Sequence, residues 1–179
     1  MEHVVNRQIG ASRDRCGIGL ARGFTLVEGM VVVAILAIVT TLAAPSFVSF
    51  IGTMNTKSAA FDLIGDLSMA RSEALKRNVA ITVAPVGGAW TKGWQILRPP
   101  MSPEVEPVAL RERDSRFSNV AISAPAGGIV FQPNGRLQGS DIGPANIKWS
   151  ITSSASGAIA RCVVISPTGS ARSQPGACS

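Results

Sequence analysis

The sequence has no tyrosine, and its single histidine is His3. Aromatic residues make up 5% of the chain, and cysteine occurs three times, at positions 16, 162 and 178. Beyond the first few residues there is therefore no imidazole for a Ser-His-Asp or Cys-His relay and none to ligate a metal. No G-x-x-x-x-G-K-[ST] run is present, so the paired glycines are read as turns. No period of 20–50 residues recurs, which excludes a solenoid or propeller. Carboxylate pairs do occur. Glu104 and Glu106 lie in a proline-rich loop, and Asp62 and Asp66 are assigned to a polar helix face. Both pairs are expected to be solvated charge, with no acid–base role. Nothing in this inventory carries catalysis.

What the chain has is an apolar run near its start. Phe24 to Ala44 holds 21 residues and one charge, Glu28. A helix of that length, at about 1.5 Å per residue, spans roughly 30 Å, the hydrocarbon thickness of a bilayer. Arg7, Arg13, Arg15 and Arg22 precede it with no matching positive cluster behind it, which predicts a cytoplasmic N-terminus. Chain after Pro45 is then expected in the periplasm. The net charge of +6 falls to +4 without residues 1–23, a mild excess and not the footprint of a dedicated nucleic-acid binder. An ordinary secretory signal has a shorter apolar core, about 7–15 residues. A plain anchor explains the length but not the acid, which costs roughly 2.5–3.5 kcal/mol at mid-membrane.

Pro45 is expected to kink the helix or mark its exit from the bilayer. Helical spacing then resumes through Ala60, Leu63, Ile64, Leu67, Ala70, Ala74 and Leu75, with a stop near Asn78. Lys76 and Arg77 suit the C-terminal dipole. Gly52 and the "GTMNTKS" stretch are weak helix formers, so flexibility is expected there. After Asn78 the pattern turns to strands: "VAITVAP", "KGWQILR", a short strand about Val108–Leu110 inside a 99–119 loop, "GGIVFQPNGRL", "NIKWSIT" and "AIARCVVIS". Six to eight strands are expected. Trp90, Trp94 and Trp149 are assigned to the core or a sheet face. Cys162 and Cys178, 16 positions apart near one end of an exported domain, are read as a disulfide, worth about 3 kcal/mol in the chain-entropy account.

The stretch "RGFTLVE", followed by an apolar run ending at Pro45, resembles the class III leader junction of type IV pilins and type II secretion pseudopilins. The resemblance implies an α+β fold, with a long N-terminal α-helix packed on an antiparallel β-sheet. It implies a leader over 1–23, a transmembrane helix over 24–45, an amphipathic half over 46–78 and a β-rich periplasmic domain over 79–179. A prepilin peptidase would cut between Gly23 and Phe24, and Phe24 would be N-methylated. Glu28 and Pro45 then fall at the fifth and twenty-second mature positions. In the family, the acid of an incoming subunit can pair with the N-terminal amine of its neighbour, which gives Glu28 a role in assembly. Gly29 departs from the pattern, where a large aliphatic residue is usual.

"SEALKRNVAITV", "KGWQI", "IVFQPNGRL" and "CVVISPTGSAR" are similar to the GspH/FimT/FimU group of minor pilins. The resemblance implies no cofactor. Its partners would be other pilins or pseudopilins, the peptidase, inner-membrane lipid and the assembly platform. The leading expectation is a minor pilin that primes a type IV pilus; the alternatives are a type II secretion pseudopilin and a DNA-binding pilin of natural transformation. For the last, Gly169-Ser170-Ala171-Arg172 stands where some FimT-type pilins carry G-R-x-R, with serine replacing the first arginine. Arg136, Arg161 and Arg172 are the candidate DNA contacts, set against a reading as scattered surface charge.

Overall fold

The computed structural model describes residues 23–114, 119–124, 127–139 and 146–178. The leader expected over 1–23 lies outside these apart from Gly23. The chain divides into two compact units, Met1–Val39 and Thr40–Ser179. One helix, α1, runs Leu26–Arg77.

In the first unit, the helical residues 26–39 are exposed, save a half-buried Gly29. Val27, Met30, Val31, Ile35, Leu36 and Ile38 all face outward. A helix apolar nearly all round, without cover among the described residues, suits a lipid environment or partner helices. The helix as a whole, Leu26–Arg77, is long and apolar enough to cross a membrane by length and composition.

The second unit has the hydrophobic core. After α1 come eight strands among the described residues: β1 (Ile81–Pro85), β2 (Gly93–Arg98), β3 (Val108–Asp114), β4 (Val120–Ser123), β5 (Ile129–Phe131), β6 (Ile147–Ser153), β7 (Arg161–Ile165) and β8 (Ala171–Pro175). They form two four-stranded antiparallel sheets, ordered β3-β2-β1-β5 and β4-β6-β7-β8. The sequence pointed to one sheet; the structure divides it in two.

Alternation explains which face each sheet buries. Ile81 and Val83 of β1 pair with Phe131 and Ile129 of β5, and Val83 also faces Ile96 of β2. Trp149 and Ile151 of β6 stand beside Val163 and Arg161 of β7. The apolar members of these rows are buried and meet Ala59, Ala60, Leu63, Leu67, Ala70 and Ala74 of α1. Leu63 and Leu67 are fully covered, each contributing about 1.5–3 kcal/mol of burial. The four alanines let the helix backbone approach the sheets closely. Trp90 and Trp149 meet edge to face, with centroids 5.5 Å apart and planes at 78°, so the tryptophans belong to the core as expected.

The helix ends as the sequence predicts. Asn78 takes the left-handed conformation (φ 55°) that closes many helices. Glu73 pairs with Arg77 at 2.5 Å across one turn, and this bond holds the Glu73 carboxyl below its ordinary range. Pro45 sits inside α1, which runs on past it. Two expectations change. The 52–58 stretch is helical, because Gly52 is what allows contact: a Cβ there would stand 2.7 Å from the Ala155 Cβ and 2.8 Å from that of Ala158. The strand read as Val108–Leu110 extends to Asp114, paired with β2 across a bulge at Ile96/Leu97.

Candidate assembly interface

The N-terminal segment is built by a helix cap. Glu28 N–H donates to Thr25 Oγ1 at 3.2 Å, and Gly29 N–H donates to the Thr25 carbonyl at 3.1 Å. Thr25 and Glu28 have the spacing of a capping box, and an acid in the first turn faces the positive end of the helix dipole. Gly23, Phe24 and Glu28 are exposed. Among the described residues, Glu28 has no ion-pair partner. A Cβ at Gly29 meets nothing within 4 Å, so space does not demand the missing side chain.

In the second unit two clamps tie α1 to the strands and loops. The lower one lies around Gly52. Ile159 N–H donates to Thr53 Oγ1 at 3.0 Å, and buried Thr56 donates to the Ile159 carbonyl at 2.7 Å. Asn55 donates to the Asn119 side chain at 3.2 Å. The upper clamp is Asp66, which is 2% exposed. Arg113 donates to Asp66 from Nε at 2.6 Å and from Nη2 at 3.3 Å. Arg111 Nε stands 3.1 Å from the same carboxylate, and Trp94 Nε1 donates to it at 2.9 Å. Asp62, on the helix's outer flank, adds a 3.2 Å pair to Arg113. The bond to Asp66 pushes the Arg113 guanidinium above its ordinary range.

This corrects the reading of Asp66 as solvated charge. Thr56, Ala59, Leu63, Asp66 and Ala70 follow helical spacing, so Asp66 lies on the buried stripe, where the carboxylate must find donors. Those donors are Arg111 and Arg113, which register against Ile96 and Trp94 of β2 and so share its core-facing side. In the sequence, Arg111-Glu112-Arg113-Asp114 is an unbroken charged run, so the inward side of β3 shows only in its register with β2. Glu104 is also not free: Arg98 grips both its oxygens, at 2.5 and 2.6 Å, and the Met101 N–H donates to it at 3.0 Å. Its carboxyl is held down to about 2, first by Arg98 and then by Met101. Glu106 is exposed.

Cys162 and Cys178 form the expected disulfide, Cα atoms 5.0 Å apart. Cys162 points away from the core face, so the bridge folds the chain end over the outer side of β7. The candidate DNA contacts do not assemble. Arg172 is registered against Val164, while Arg161 shares the side of Val163. Residues 161 and 164 project from opposite faces of the sheet, so Arg161 and Arg172 do too. Arg161 is half-buried with its Nε covered; Arg136 is exposed in the 132–136 turn, its N–H donating to Asn134.

Comparison with known proteins agrees with this architecture. Residues 59–169 match the family described as type II transport protein GspH, and residues 20–44 match the prokaryotic N-terminal methylation motif. No curated protein sequence matches the chain. Among solved structures, the type IV minor pilin FimU of Pseudomonas aeruginosa is similar at 26% identity and TM-score 0.55, over 67% of this chain and 88% of that one. A second crystal form of FimU gives 25% and 0.52, over 66% and 92%. The minor pseudopilin EpsH of the Vibrio cholerae type 2 secretion system shares the fold at 12% identity and TM-score 0.52, over 67% and 96%. With more than half its length matched, an apolar first helix and a helix-on-sheet core, the chain belongs to the GspH family, within the type IV pilin and pseudopilin superfamily of filament subunits.

Proposed function

We propose that this protein is a minor type IV prepilin. It is cut between Gly23 and Phe24 by a prepilin peptidase and methylated on Phe24. It is then drawn from the inner membrane by the assembly platform to prime a pilus, near its tip. The observation that carries this reading is the junction of the methylation motif over residues 20–44 with a domain similar to a type IV minor pilin at 25–26% identity. A membrane-anchored precursor with a cytoplasmic leader presents Gly23–Phe24 at the membrane face, where a membrane peptidase works. Cleavage turns the Phe24 amide nitrogen into a cationic amine. Glu28 of a neighbour supplies the counter-charge, and in a low-dielectric helix bundle an unpaired member of such a pair is costly. The acid thus fixes subunit register.

Two measurements test this. N-terminal sequencing of protein from peptidase-bearing cells is expected to begin at methylated phenylalanine; a start at Glu2 or after Ala44 contradicts it. Glu28→Ala is expected to insert in the membrane at wild-type level and to lose most incorporation into sheared pili. A second reading, a minor pseudopilin, is favoured by the GspH match itself. Deleting the gene and assaying pilus number and exoprotein secretion side by side separates the two.

A further inference from the structure

The lower clamp lies close to Pro45. Gly52, on which Ala155 and Ala158 close, is seven residues past Pro45 on the same helix, about 10 Å at helical rise. The loop joining β6 to β7 reaches lower still. A Cβ added to Gly157 would stand 3.4 Å from the Ser49 Cβ, and Ser49 is only about 6 Å along the helix from Pro45. Tilting the helix can shorten these heights above the hydrocarbon but not lengthen them. The headgroup layer is itself about 5–8 Å deep on each side of a bilayer.

Between Pro45 and the clamp the helix does not turn polar. Phe47, Val48, Phe50 and Ile51 are exposed, and Lys57 is the first charged residue after Glu28. The loop facing this stretch, residues 153–160, is built of serine, alanine and glycine with one large apolar side chain, Ile159. Ile159 is 52% exposed, yet its backbone is fixed at both ends: its N–H donates to Thr53 and its carbonyl accepts from Thr56. One exposed isoleucine is ordinary on a surface in bulk water. At this height the side chain faces the membrane boundary instead. The flanking charges are both basic, Lys57 on α1 and half-buried Arg161 at the start of β7, and neither forms an ion pair among the described residues. The first acid of α1 after Glu28 is Asp62, about 25 Å past Pro45.

Resting on the reading of residues 24–45 as a membrane anchor, we propose that the 153–160 loop is a foot that stands on the bilayer. In the anchored subunit Ser156 and Gly157 lie among the headgroups and Ile159 enters the interface. The partner is a surface containing anionic phospholipid, which Lys57 and Arg161 approach with no acid beside them. A domain held both by its helix and by its foot cannot swing freely, so the subunit awaits assembly in one orientation.

The test uses the full chain in nanodiscs of phosphatidylethanolamine with a minority of phosphatidylglycerol, doped with a lipid that carries a nitroxide on its headgroup, and followed by amide NMR. Nitroxide broadening is expected over residues 153–160 and not over residues 166–171, at the far end of β7. Ile159→Asp and Ser156→Asp should each reduce the loop broadening about twofold or more, because an acid at this depth is repelled by the anionic surface. Both side chains are exposed, and unchanged Thr53 and Thr56 amide shifts verify that the clamp is still closed. A chain that does not stay with the disc overturns the anchor and the foot together. A chain that stays, with the 153–160 loop broadened no more than residues 166–171 or with both acidic variants broadened like the wild type, overturns the foot alone.

Discussion

Residues 26–39 and residues 52–74 are stretches of one helix, yet they meet their surroundings in opposite ways. The first stretch is apolar on nearly every side and covered by nothing among the described residues. The second buries a stripe of small residues and leucines, and where a charge falls on that stripe, at Asp66, the domain supplies two arginines and an indole N–H. Each stretch carries one acid that its sequence pattern does not easily accommodate. Asp66 is satisfied within the chain. Glu28, capped by Thr25, has no cation among the described residues; the proposed pairing with a neighbouring subunit would give it one.

The sharpest way to break this contrast is to exchange the kind of damage. Asp66→Ala takes the nearest partner from the nearly buried Arg113, which keeps only Asp62, and the only acid from half-exposed Arg111, and is expected to cost about 3 kcal/mol or more, read by urea unfolding of the full chain. Glu28→Ala should leave that unfolding curve unchanged. If Asp66→Ala unfolds at the wild-type midpoint, the clamp is not a stability element. Next in size is the disulfide: Cys162→Ser with Cys178→Ser is expected to cost about 3 kcal/mol for its short loop. The glycines come third. Gly52→Val should cost about 1–3 kcal/mol by forcing α1 away from Ala155 and Ala158. Gly29→Ala should cost nothing and gain up to about 1 kcal/mol of helix propensity. Equal effects at the two positions would erase the difference between the stretches.

The smallest effect is a pH one. Glu104 has a folded pKa of about 2, below its ordinary 4.5. A depressed carboxyl contributes its stability in full above the unfolded pKa and loses it as pH falls through the folded value. Protection of the 99–107 loop amides, their exchange measured relative to the intrinsic rate at each pH, is therefore expected to fall between about pH 4.5 and 2, while that of the β6 and β7 amides holds.

Much of this was legible in the sequence. Local rules sufficed for the helix end at Asn78, for β1, β2, β6 and β7, and for the turn at Pro133–Gly135. Burial of a charge was not legible in the same way. Asp66 looks polar by type, and only its place between Leu63 and Ala70 says otherwise; its partners lie 28 to 47 positions away on other strands. The division into two sheets depends on β4 and β8, which are "VAIS" and "ARSQP". One is short and the other polar, because both are edge strands with little to bury. The placing of the arginines was hidden for a related reason: strand parity, fixed by register with β8, sets Arg161 and Arg172 on opposite faces.

The grip on Asp66 also governs direction. A helix packed through alanines and leucines alone can roll against a sheet at small cost, since one apolar ridge is much like the next. A carboxylate met from one side by Arg111 and Arg113 allows a single azimuth. Rolling by one residue would swing it through about 100° and leave three charges without partners. With the angle keyed, the aromatic flank at Phe47, Phe50 and Phe61 always points the same way, outward from the domain. Asp66 thus works as the key on a shaft: it fixes which side of the helix the domain leaves uncovered.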